Sequence, residues 1–472
     1  MNTPILLIEL NKNSDMPLYE QIYNQMREKI IHGKLRVGTK IPSKRKLGEF
    51  LHVSQTTIES AYEQLMAEGY IESIPRKGFF VQNIEELVHV EQDEQTISVL
   101  PEQQQMRYDF SPGHIDTAHF PFNHWRKYAK NIIDFQSKHL LLLGDPHGDL
   151  ALREEIARYL YHSRGVDCTA EQIIIGSGTE QLLPLIIRIL GDQTTFAIED
   201  PGYPLTHYVF SDHQRQAIPI PVDPEGMRVD RLQQVNAQVA YVTPSHQFPT
   251  GTVLSAARRT ALLNWAAAEN NRYIIEDDYD SEFRYTGRPI PALYGMDQGD
   301  HVIYISTFSK SLMPSLRIAY TVLPYPLLQR YRKAFIHYVS TVPRLDQHIL
   351  ASFMQDGHFS KHLNKMRTIY KKKLQTLLHT LSMYRHAVSY YGEETGMHLT
   401  ITVNLPKSEE QLLKEASNAS IRLYSLNSYR KEKQFGTPSF LLGFGGLSET
   451  EIEEGIQLLM RVWGIPSMNT KA

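Results

Sequence analysis

Apolar residues recur at helical spacing in three short blocks near the start of the chain. Leu18, Ile22, Met26 and Ile30 share one helix face, after Asp15 and Pro17 as start signals and before Gly33 as a stop. Ser43 opens a second helix with Leu47, Phe50 and Leu51 inward, and Ser54 a third with Ile58, Ala61, Tyr62, Leu65 and Met66 inward, ending at Gly69. Serine supplies the oxygen that a helix's first N–H groups lack, and glycine tolerates the left-handed turn at its end. Residues 70–74 and 78–81 then read as strands joined through Pro75, Arg76 and Lys77. The pattern predicts three helices and a β-wing within residues 1–82.

Periodicity stops there. Residues 83–105 carry six acidic side chains, no lysine or arginine, and a run of glutamines. Such a segment cannot bury a core, and 83–107 is predicted as an acidic linker. From 108 to 472 short, continuously apolar runs alternate with helical segments; the runs are 172–175, 195–198, 239–242, 273–275 and 302–305. Strands apolar on both faces and separated by helices predict an α/β domain with a mostly parallel sheet.

Composition narrows the picture less than pattern does. The apolar share of 42% and charged share of 21% are those of an ordinary globular chain. A net charge of −3 gives no global attraction to nucleic acid, so any such binding must be local. Cys168 is the single cysteine, which excludes intrachain disulfides and points to a reducing, cytoplasmic setting. The N-terminal residues lack a basic signal-like region, and no apolar run is long enough to span a membrane. The histidines are scattered without metal-ligand spacing.

The chemistry-bearing residues lie mostly at predicted strand ends. Gly178 and Thr179, in Gly176-Ser177-Gly178-Thr179-Glu180, join a strand to a helix whose first N–H groups can face an anion, with a dipole contribution of roughly 0.3–1 kcal/mol. Asp277 and Tyr279 follow the strand at 273–275; Lys310 sits among Thr307, Ser309 and a trailing Arg317. Tyr203 offers an aromatic face, and His246 and Gln247 precede a Pro-Thr-Gly turn. Pyridoxal phosphate needs each of these parts: a lysine for its carbonyl, an acid for its ring nitrogen, a donor to its phenolic oxygen (Tyr279, with His246 or Gln247), a stacking ring and a phosphate cradle. The order of these segments over 108–472 resembles the fold-type I aminotransferases.

In the first unit basic residues cluster at 44–46 and 76–77, where residues 1–82 hold eleven Lys and Arg against nine Asp and Glu. Ser43, Lys44, Arg45, Arg76, Lys77 and Gly78 suit phosphate contacts from the second helix and wing, and Ser54, Gln55, Thr56 and Thr57 open a helix fit for the major groove. These segments resemble the winged helix-turn-helix of the GntR family, although Glu59 stands where a basic residue is common. A head of this type joined by a linker to an aminotransferase-like domain resembles the MocR subfamily and its GABA-responsive members.

The resemblance implies a transcriptional regulator that binds double-stranded operator DNA, carries pyridoxal phosphate on Lys310, senses an amine or amino acid, and forms a head-to-tail homodimer. The large domain would then be a sensor rather than an enzyme, with residual transaminase activity at most. An active aminotransferase with a DNA-binding head needs the same lysine and remains the alternative. GABA-responsive members use two arginines for the effector carboxylate; Leu205 and Ser428 stand at the matching positions, leaving Arg430 as the candidate effector-binding cation.

Overall fold

In the computed structural model the described residues are 8–12, 14–83, 106–287, 290–431 and 436–468. The chain divides into two compact units, residues 1–102 and 103–472. The segment read as a linker lies, from 84 to 105, outside the described residues.

The first unit has helices α1 (Leu18–Ile31), α2 (Lys44–Leu51) and α3 (Gln55–Ala67) and strands β1 (Lys40–Ile41), β2 (Ile71–Ile74) and β3 (Gly78–Val81). Ser43 accepts from the Lys46 N–H and Ser54 from the Thr57 N–H, the two caps expected. The wing gains a third strand: β1 pairs antiparallel with β3, in the order β1-β3-β2. Ile22, Met26, Leu47, Ile58, Tyr62 and Leu65 form its core. Phe50, expected inward, is 54% exposed. It lies three residues past Leu47 on a two-turn helix, where only Leu47 and Gly48 are buried.

The second unit opens with β4 (Tyr108–Asp109) and centres on β5 (Ile173–Gly176), β6 (Phe196–Asp200), β7 (Ala217–Asp223), β8 (Gly226–Met227), β9 (Val239–Val242), β10 (Tyr273–Asp278), β11 (Val302–Thr307) and β12 (Ala319–Val322). These form one eight-stranded sheet in the order β5-β12-β11-β10-β9-β6-β7-β8. From β11 through β7 every neighbour is parallel. β12, which the apolar runs did not single out, is antiparallel to both β11 and β5, and its Ala319 is the register partner of both Thr307 and Gly176. All five expected strands are present, several extended by one to three residues at their carboxyl ends. Helices cover both faces, as two apolar clusters on opposite sides of the same strands show.

A smaller sheet of β13 (Val388–Tyr391), β14 (His398–Val403), β16 (Tyr424–Ser425) and β17 (Ser439–Gly443) is antiparallel. β15 (Ile421–Arg422) pairs instead with β4. Among the described residues no helix is long and apolar enough to cross a membrane.

Candidate cofactor site and nucleic-acid interface

Parallel strands deliver their carboxyl ends to one edge of the sheet, where an α/β fold usually binds ligands. Here β5, β6, β9, β10 and β11 end around a cavity of about 480 Å³. Gly178, Thr179, Tyr203, Asp277, Tyr279, Thr307, Ser309, Lys310 and Arg317 all line it. Positions from five strand-to-loop junctions, spread over more than a hundred residues, are thus brought together.

Asp277 closes the floor. Its Oδ2 accepts from the Tyr241 hydroxyl, while Oδ1 is buried without a partner. Burial pushes this carboxyl up to about 7, against the Tyr241 hydrogen bond and assisted by Asp278 and Asp280. Lys310 Nζ donates to the Pro112 carbonyl, and burial brings the ammonium down to about 8, with the Asp280 charge acting the other way.

Gly178 caps the helix Thr179–Leu190 with no side-chain cap, which leaves that helix's first N–H groups for a ligand. At φ +150° a Cβ on Gly178 would lie 2.3 Å from Arg317 Nη2, so glycine keeps the cradle open. Arg317 is paired with Glu180, which also lines the cavity. Thr307 Oγ1 and Ser309 Oγ are 2.9 Å apart.

His246 and Gln247 do not line the cavity. Gln247 is fully buried and donates to the Pro201 and Phe248 carbonyls and to Glu199. His246 lies behind Tyr279, whose hydroxyl donates to the His246 carbonyl at 3.0 Å. The side chain that reaches the cavity from this turn is Phe248, packed edge-on to Tyr203 at 5.6 Å. Arg430 is also elsewhere: with Ser428 it lines a separate cleft of about 200 Å³ behind Tyr203 and Tyr429. Leu205 does line the main cavity, beside Tyr424 and Tyr429.

Sequence reasoning missed Tyr241, Pro112, Phe248 and Glu180. Tyr241 is an apolar-looking strand residue whose hydroxyl matters only once β9 lies beside β10. Pro112 comes from a segment some 200 positions from Lys310. Phe248 and Glu180 belong to the two motifs noticed, one residue from those chosen.

These residues fit pyridoxal phosphate. The orphan Oδ1 of Asp277 is an acceptor for a protonated ring nitrogen, the uncapped helix start beside Arg317 suits a phosphate, and Lys310 is the cavity's primary amine.

In the first unit Ser43 and Ser54 are used as caps, and Ser54 Oγ also contacts the Thr56 and Thr57 hydroxyls at 2.8 and 2.7 Å. Gln55 and Thr56 are exposed. Arg45 is 76% exposed and only loosely paired with Glu49 at 3.8 Å. Lys44, by contrast, is held by Glu59 of α3 at 2.5 Å. Arg76 and Gly78 have positive φ and shape the wing turn, with Lys77 between them.

Residues 108–457 match the family of class I and II aminotransferases, and residues 18–81 the gntR family of bacterial regulatory proteins. The chain is 42% identical over 461 residues to the HTH-type transcriptional regulator YdeL of Bacillus subtilis, covering 97% of this chain and 99% of that protein. It belongs to the MocR-type transcriptional regulators. Within that group it is 29% identical to the probable rhizopine catabolism regulatory protein MocR of Rhizobium meliloti, covering 96% and 95% of the two chains. It is 32% identical to the pyridoxine biosynthesis regulator PdxR of Corynebacterium glutamicum over 80% of this chain and 81% of that one. The fold of the larger unit is that of the fold-type I aminotransferases: a kynurenine aminotransferase from Pyrococcus horikoshii superimposes with a TM-score of 0.68 at 24% identity, over 79% of this chain and 93% of that one. A MocR-type chain thus keeps an aminotransferase domain behind a helix-turn-helix head.

Proposed function

We propose that this regulator carries pyridoxal phosphate on Lys310 and uses it to sense an amine or amino acid, which alters how its GntR head engages double-stranded DNA. The observation that carries this reading is the convergence of Lys310, Asp277 and the uncapped helix start at Gly178 on one cavity. The cofactor, when bound, supplies a carbonyl that exchanges one primary amine for another.

The chain's own residues have definite parts in this. Lys310, with its ammonium brought down to about 8 by burial, presents a usable fraction of neutral amine near neutral pH. Asp277, its carboxyl raised to about 7 by burial, would ionise against a protonated ring nitrogen and hold the proton there. The Gly178 and Thr179 backbone, Thr307, Ser309 and Arg317 take the phosphate, for which Arg317 must exchange Glu180. Tyr203 would give a stacking face, and Tyr279 would donate to the ring's oxygen once its hydroxyl turns from the His246 carbonyl. The cavity is lined from the large sheet and by Tyr424 and Tyr429 of the small-domain region, so an effector amine bound beside Lys310 would touch both and could bias their closure. The chain then works as a cytoplasmic head-to-tail homodimer, with transamination residual at most.

The test is direct. Purified protein loaded with pyridoxal phosphate should absorb in the visible, and borohydride should fix the cofactor to the peptide containing Lys310. Covalent fixation that persists in Lys310→Ala refutes the assignment. Amines that shift the absorbance and also alter DNA binding identify the effector; rapid release of a keto product would favour the working aminotransferase.

A further inference from the structure

Behind the cavity lies a buried polar pair that the cofactor assignment does not use. His246 and Asp280 are 1% and 2% exposed, and His246 Nδ1 stands 2.8 Å from Asp280 Oδ2. A carboxylate facing Nδ1 fixes the tautomer with the proton on that nitrogen. The same Nδ1 is 3.0 Å from the Tyr279 hydroxyl, which donates to the His246 carbonyl, also at 3.0 Å. The one Nδ1 proton is thus shared between Asp280 and the Tyr279 oxygen, and Asp280 orients the ring that carries it.

The surroundings leave the imidazole no slack. Gly396 has φ +74°, and a Cβ on it would lie 2.0 Å from His246 Cε1 and 2.6 Å from Asp280 Oδ2. His398 packs on the other face, ring centroids 4.5 Å apart, and its Nε2 is 3.1 Å from the Pro249 carbonyl. His246, Asp280 and His398 present atoms within 4.8 Å of one another, but the adjacent Lys310 ammonium opposes a metal ion there.

We propose that Asp280 and His246 are a positioning pair: Asp280 holds the imidazole, and the imidazole aims the Tyr279 hydroxyl at the cavity. The charged and titratable groups around His246 are Asp280, Tyr279 and His398. Aim is thus set by one buried pair outside the cavity wall.

The inference rests on the pyridoxal phosphate reading, and pyridoxal phosphate affinity of the full-length protein, read by absorbance titration, tests it.

His246→Gln, Asp280→Asn and Tyr279→Phe should each weaken binding severalfold, and either of the first two combined with Tyr279→Phe should be no weaker than Tyr279→Phe alone, because all act through one hydroxyl. Multiplying losses, or wild-type affinity in His246→Gln, overturn the inference and leave the functional reading standing. A wild-type protein that binds no cofactor refutes the functional reading and this inference with it.

Discussion

Lys44 should be a phosphate ligand held in check by Glu59, and releasing it should be measurable as a change in salt dependence. The two side chains are 21% and 41% exposed and 2.5 Å apart, bridging α2 and α3. A pair this exposed contributes only about 0–1 kcal/mol to stability, so Glu59→Gln should leave the head folded. Each phosphate neutralised by a protein cation adds about 0.9 to the negative slope of log affinity against log salt. Freeing Lys44 should therefore steepen the slope by up to about 0.9, so that the gain over wild type shrinks about 3.5-fold between 50 and 200 mM salt. The assay is fluorescence anisotropy of a labelled duplex of arbitrary sequence with the full chain, across that salt range. Removing a negative charge near DNA raises affinity on its own, so the deciding comparison is Glu59→Gln against Glu59→Gln with Lys44→Gln. Identical slopes in those two proteins would show that Lys44 makes no phosphate contact even when unpaired.

Other outcomes follow from the same geometry. Arg45→Ala and Lys77→Ala should each lower the salt slope by somewhat under one unit on any sequence, whereas Gln55→Ala should relax base discrimination by roughly 1–3 kcal/mol at particular positions; operator titrations read both. Asp277→Asn should weaken pyridoxal phosphate binding by about 10- to 150-fold, the loss of one charge-assisted hydrogen bond of about 1.5–3 kcal/mol, checked by absorbance titration. Because Lys310 attacks as the neutral amine and its ammonium sits at about 8, capture of the cofactor should slow about tenfold per unit of pH below that value and level off above it, provided Lys310 limits the rate; stopped-flow absorbance tests this. GABA should be a poor effector, because Leu205 lines the cavity while Ser428 and Arg430 face a neighbouring cleft. Tight binding in isothermal titration that Arg430→Ala abolishes would show that this arginine turns inward.

The second and third helices of the head were legible because Ser43 and Ser54 each stand four residues before the first apolar residue of a periodic run, a signal carried by a few neighbouring residues. The central strands were legible because burial on both faces leaves runs such as Val239–Val242 wholly apolar. Phe50 misled because a two-turn helix buries too narrow a stripe for periodicity to decide its edge. In the cavity, residues supplied by strand ends were found at once, since the end of a buried strand is where polar residues reappear. His246 and Gln247 fell outside the cavity for a related reason: polarity in a turn marks hydrogen bonding, and here it is spent on buried partners, Asp280 for His246 and Pro201 and Glu199 for Gln247, while the apolar Phe248 lines the cavity. Arg430 could not be placed from sequence, since its cleft exists only after β16 and its following turn pack beside Tyr203.

The strand β12 has a mechanical meaning. Ala319 is the register partner of Gly176, at the end of the strand leading into the anion cradle, and of Thr307, at the end of the strand leading into Lys310. Both subsites are therefore measured from one residue, like two arms riveted at a single pin. A slip of one residue would turn every side chain of β12 to the wrong face of a sheet buried on both, so cradle and lysine cannot shear past each other in small steps. Any signal passed from this cavity to the rest of the molecule must be carried by what is not pinned there: the segments bearing Pro112, Phe248, Tyr424 and Tyr429. The sheet is the anvil, and the walls around it are set by other contacts.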